Sequence, residues 1–128
     1  MKFVSAFLCA VIALSLTSQA RAALYGATAA GGPGELYILD PANGNVIQDV
    51  GPLNNGATNY PITGLAFHPV TVVLYGSTGN SQASTAARLV TIDPATAAVT
   101  EVGSFNTGIT NTNGTPSTMA DIAFDASG

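Results

Sequence analysis

The feature that most constrains this chain is an internal repeat with a period near 50 residues, because a unit copied in order has to find the same fold twice. Leu24-Tyr25-Gly26-Ala27-Thr28 returns 50 residues on as Leu74-Tyr75-Gly76-Ser77-Thr78. Leu36-Tyr37-Ile38-Leu39-Asp40-Pro41-Ala42 returns at an offset of 53 as Leu89-Val90-Thr91-Ile92-Asp93-Pro94-Ala95. Val46-Ile47-Gln48-Asp49-Val50-Gly51 then matches Val99-Thr100-Glu101-Val102-Gly103 with one residue lost. Ile62-Thr63-Gly64-Leu65-Ala66-Phe67 matches Met119-Ala120-Asp121-Ile122-Ala123-Phe124 at an offset of 57.

Each block is short, rich in β-branched and aromatic residues, and bounded by Gly, Pro or Asn, which predicts a strand. Four strands per unit make an all-β chain of antiparallel sheets, with almost no helix after Ala22. The growth of the offset places the insertions between strands. Asn80 to Ala87 and Asn106 to Thr118, polar and rich in Gly, Ser, Thr and Asn, are expected to be exposed loops that carry binding specificity. In Asp40-Pro41-Ala42-Asn43-Gly44 and Asp93-Pro94-Ala95-Thr96 the aspartate accepts turn N–H groups and proline presets φ, so both acids read as turn-formers.

Residues 1–22 read as a helical signal peptide. Lys2 supplies the positive start, Phe3 to Leu16 the apolar run, and Ala20-Arg21-Ala22 the small-x-small pattern of a peptidase site, with cleavage between Ala22 and Ala23. The apolar run is shorter than the roughly 20 residues that span a bilayer. Cys9 lies too early in it for a lipoprotein site. Export to the periplasm, cell surface or medium is therefore expected.

The remaining chain, 23–128, has no cysteine, so packing rather than disulfides must hold it together. Arg88 is its only strong base, against Glu35, Asp40, Asp49, Asp93, Glu101, Asp121 and Asp125. Such a surface cannot neutralise phosphates, which excludes nucleic acid as a partner and disfavours anionic membranes. No membrane span is expected in the mature chain.

On these motifs the chain resembles the secreted bacterial β-propellers of the quinoprotein-like, NHL and surface-layer YVTN type. An Ile62-to-Phe67-like inner strand leads through a His-Pro turn to Leu74-Tyr75-Gly76, then to a strand ending Ile-Asp-Pro and a fourth ending Val-Gly. The resemblance implies about two four-stranded antiparallel blades of an incomplete β-propeller. Strands b-c-d fall at about 23–50, a full blade at about 61–103, and the first strand of the next blade at about 118–124. A closed ring needs at least about four blades, so an N-terminal fragment of a longer chain is expected, with self-association through open blade edges as the alternative.

For chemistry, His68 is the only histidine and sits before Pro69 at a strand-to-turn junction, where a structural role is expected. No HExxH, GxSxG, P-loop or EF-hand pattern occurs, and no catalytic, metal-binding or cofactor-binding residue is assigned. Asn113-Gly114-Thr115 reads as a turn. Tyr25, Tyr37 and Tyr75 read as packing residues, while Tyr60, outside the repeat, is a candidate surface contact. The expected function is an exported, non-catalytic binding or cell-surface scaffold of unknown ligand. The competing class is a propeller enzyme completed by further blades. A lactonase-like enzyme would use acids such as Asp121 around a divalent cation, although the matching position is Gly64; a quinoprotein-like one would need a docking tryptophan, and this chain has none.

Overall fold

The computed structural model describes residues 23–29, 33–79, 83–105 and 119–128. The expected signal peptide with Ala20 and Ala22, most of the loop after Ser104, and Asn113 lie outside the described residues, as do Asn80 to Gln82. Among the described residues seven strands form two antiparallel sheets. Three belong to the first: β1 (Leu24–Ala27), β2 (Glu35–Leu39) and β3 (Val46–Pro52). The second holds β4 (Ile62–Phe67), β5 (Leu74–Thr78), β6 (Arg88–Ile92) and β7 (Val99–Ser104), in chain order. Among the described residues the only helical turn is a 3-10 turn at Ala83–Thr85.

Each hairpin follows from its residues. Asp40 Oδ1 accepts the Ala42 N–H at 2.9 Å while the Gly44 N–H returns to the Asp40 carbonyl at 2.7 Å. Asp93 repeats both bonds, to Ala95 at 2.8 Å and from Ala97 at 2.9 Å. His68 builds the same turn with an imidazole: Nδ1 accepts Val70 N–H at 3.2 Å, and Val72 N–H reaches the His68 carbonyl at 2.9 Å. The fifth residue of all three turns is left-handed, with φ of 76° at Gly44, 57° at Val72 and 59° at Ala97. Only the first of these is a glycine, so the other two turns carry backbone strain.

Strand alternation sorts side chains onto two faces. Leu36, Leu53, Tyr60, Ile62, Leu74, Val90, Ile92, Ala97 and Val99 form one core between the sheets, with Tyr25, Ala27, Val50 and Leu65 packed against it. Leu24 and Leu39, partners across β1 and β2, turn to the opposite face of the first sheet.

Two expectations are corrected. Residues 119–124 join no ladder: they lie against β4 through the Thr63 hydroxyl, which donates to the Met119 carbonyl, and through Asp121, which sits over Gly64. A strand needs a backbone partner along its length, and contact with β4 comes from side chains. The described end of the Asn80 to Ala87 loop is also buried, not exposed. Thr78 Oγ1 accepts the Arg88 N–H at 2.8 Å and donates to the Thr85 carbonyl, which draws Thr85, Ala86 and Ala87 inward.

Candidate functional site

A cleft of about 320 Å³ lies where β1, β4 and residues 120–121 converge. Tyr25, Gly26 and Ala27 form one wall, Thr63 and Gly64 another, and Asp121 the third. Gly64 is required there: a Cβ would stand 2.6 Å from the Asp121 Cα and 2.7 Å from the Ser77 hydroxyl. The chain can therefore cross β4 closely enough to bring the Asp121 carboxylate to the rim. Its Oδ1 accepts the Ile122 N–H at 2.8 Å. Thr63 Oγ1 also donates to the Ser77 carbonyl at 3.1 Å, so its hydroxyl links β5 to Met119.

Among the described residues, the titratable side chains lining this cleft are Tyr25 and Asp121. One carboxylate beside a phenol can accept hydrogen bonds from a polar ligand, but general acid–base chemistry usually draws on two groups tuned apart in pKa. Among the described residues no three His, Cys, Asp or Glu side chains gather as a metal site.

The other sequence candidates are separated from this cleft. His68 caps its turn and stacks against Phe124, with ring centroids 4.9 Å apart, and more loosely against Tyr75 at 6.3 Å. Ala23, the expected new N-terminus, lies beside β1 on a smaller cleft of about 190 Å³ with Leu24 and Phe67. Tyr60 is not a surface contact, being only 3% exposed. The segment after β3 folds back through the Tyr60 N–H to the Leu53 carbonyl at 2.8 Å, which carries the ring into the core. Its hydroxyl accepts Asn55 Nδ2 at 3.1 Å. Burial, foremost, and then the charge and hydrogen bond of Glu101 push the Tyr60 phenol above its ordinary value, while Arg88 opposes. Arg88 and Glu101 pair at 2.8 Å on the adjoining strands, and both side chains are about one-third exposed.

Asp93 and Asp125 are held below the ordinary aspartate value. For Asp93 the first cause is the Ala95 N–H, followed by the Thr96 hydroxyl. For Asp125 it is the Ser127 hydroxyl, followed by the Ser127 N–H. Both carboxylates accept N–H groups of their own turns. Sequence reasoning missed the cleft because its walls come from β1, β4 and residues 120–121, far apart in the chain. The one visible signal was the replacement of Gly64 by Asp121 at matched positions. No protein-family model matches the chain, and neither a curated protein nor a solved structure matches it.

Proposed function

We propose that this chain is an exported, non-catalytic repeat protein of the propeller type that serves as a binding or cell-surface scaffold. The observation that carries this reading is how the reactive side chains are used. Asp40, His68 and Asp93 each spend an acceptor on the N–H two residues ahead and so close hairpins, and Asp125 forms a turn in the same way. A rigid stack of sheets with such turns is a platform, and specificity resides in what its loops and clefts present.

The test begins with expression in a bacterial host with a periplasm and N-terminal sequencing of the product. A chain beginning at Ala23 outside the cytoplasm is expected, and an uncut cytoplasmic chain overturns export. The same product is assayed for divalent-cation-dependent lactone hydrolysis and quinone-dependent alcohol oxidation. Turnover that falls at least tenfold on Asp121→Asn overturns the non-catalytic reading.

A further inference from the structure

We propose that the β4–β5 turn is a proton-sensitive joint: neutral His68 holds it closed, and protonation of that imidazole opens it and loosens the seat of Phe124 and Gly128 on the ring. The inference is independent of export and of any ligand. It starts from a difference among turns of the same build. Asp40, Asp93 and Asp125 close theirs with a carboxylate, and His68 stands at the repeat position of Asp125, directly after the matched Phe67 and Phe124.

The two kinds of acceptor respond differently to acid. His68 Nδ1 accepts the Val70 N–H at 3.2 Å and the Thr71 N–H at 3.3 Å. An imidazole nitrogen can do this only while it carries no proton, because both nitrogens of the imidazolium ion are donors. Flipping the ring brings Cδ2 to the place of Nδ1, and that carbon offers C–H in either state. Protonation therefore leaves two N–H groups facing a third hydrogen. A carboxylate at the same place keeps its acceptor throughout the range in which imidazole titrates.

This turn leans on its side-chain bonds. Its fifth residue, Val72, is β-branched and holds φ of 57°, where the first turn has Gly44. The remaining ties are main-chain bonds, from the Val72 N–H to the His68 carbonyl and from the His68 N–H to the Val73 carbonyl, both at 2.9 Å. The side chains of Val70 and Val72 are exposed, so little packing opposes opening.

The last described segment rests on the joint. The centroid of the Phe124 ring lies 4.9 Å from that of His68 and 5.2 Å from that of Tyr75, and a Cβ on Gly128 would collide with His68 Cε1. The other end of the segment is held by the Thr63 hydroxyl through the Met119 carbonyl. The ionisable groups set around the ring are the Tyr75 phenol on β5, the Asp125 carboxylate, which accepts the Ser127 and Gly128 N–H groups, and the main-chain carboxyl group of Gly128 wherever the chain stops there. Arg88, the strong base among the described residues, is paired with Glu101 on β6 and β7. None of these groups restores the lost acceptor.

The experiment compares the full chain with two variants. His68→Asn keeps an acceptor that does not titrate, as Asn54 and Asn55 do in the loop after β3, and His68→Phe keeps a ring without the acceptor. Lowering the pH from ~8 to ~5, across the imidazole range, should raise the parent's unfolding constant in urea about threefold to tenfold more than that of His68→Asn. Over the same interval the Val70 and Thr71 amides of the parent should lose protection from hydrogen exchange, with the intrinsic pH effect removed, while the Ala95 amide keeps its own. The nuclear Overhauser effect between the His68 and Phe124 rings should weaken in step. His68→Phe, already without the acceptor, should show no such step. Equal pH dependence of the parent and His68→Asn, or Val70 and Thr71 amides whose protection ignores the titration, overturns the inference, and this comparison decides even where His68→Phe fails to fold. A ring contact that persists while the amides open overturns the loosening of Phe124 and Gly128.

Discussion

Leu24 and Leu74 occupy the same place in the repeat but not the same environment, and truncating each to alanine measures what the difference is worth. Leu74 is 1% exposed and lies within the core. Leu74→Ala loses the whole transfer term and leaves a cavity, a cost of about 2–5 kcal/mol. Leu24 is 44% exposed, so a little over half of its transfer term is at stake and no closed cavity forms. With roughly 1.5–3 kcal/mol for burying a leucine fully, Leu24→Ala costs about 1–1.5 kcal/mol. The two variants should differ by at least about 0.5 kcal/mol, or roughly 2–4 °C in Tm for a domain of this size. Urea unfolding at low protein concentration reads the difference by far-UV circular dichroism and tyrosine fluorescence, since the chain has no tryptophan. Equal losses under dilute conditions would refute the unequal burial of the two faces.

Four further outcomes are expected. Val72 holds φ of 57° with its side chain 69% exposed, so Val72→Gly relieves strain while giving up little packing, and net stability should rise by roughly 0.5–1 kcal/mol in the same unfolding assay. Thr78→Val should cost about 1–3 kcal/mol by stripping the Arg88 N–H and the Thr85 carbonyl of their shared partner; Thr85→Val removes a buried hydroxyl that bonds nothing and should be neutral or stabilising. The turn aspartates predict the acid limb. Because the folded pKa values of Asp93 and Asp125 lie below 3.8, the stability they contribute is complete above the unfolded value and lost as pH falls through the folded one. Their carboxyl carbons should titrate below the ordinary aspartate midpoint by NMR. The raised Tyr60 value works at the alkaline end, where stability falls as pH rises past 10.0 and through the folded value, and Tyr60→Phe should abolish that contribution.

The turns were the most legible part of the structure. Asp40 and Asp93 act as their Asp-Pro sequences predict, because an aspartate that bonds the N–H two residues ahead needs nothing beyond its own hairpin. His68 doing the same with an imidazole was only partly legible, since histidine is an uncommon turn acceptor. Of the candidate site, Gly64 and Asp121 were visible as a mismatch between copies, but nothing local placed one on top of the other.

The sequence by itself determined the all-β class, the antiparallel hairpins and the seven described strands, each within a repeated block. Strand period and turn chemistry act over a few residues and are written wherever those residues stand. Tertiary structure alone decided that Tyr60 is buried, that the 119–124 segment lies on β4 without a ladder, and that Leu74 is covered while Leu24 is not. Those outcomes depend on surfaces dozens of residues away, and two copies of the same local pattern diverge when one copy has a neighbouring sheet on a face and the other has none.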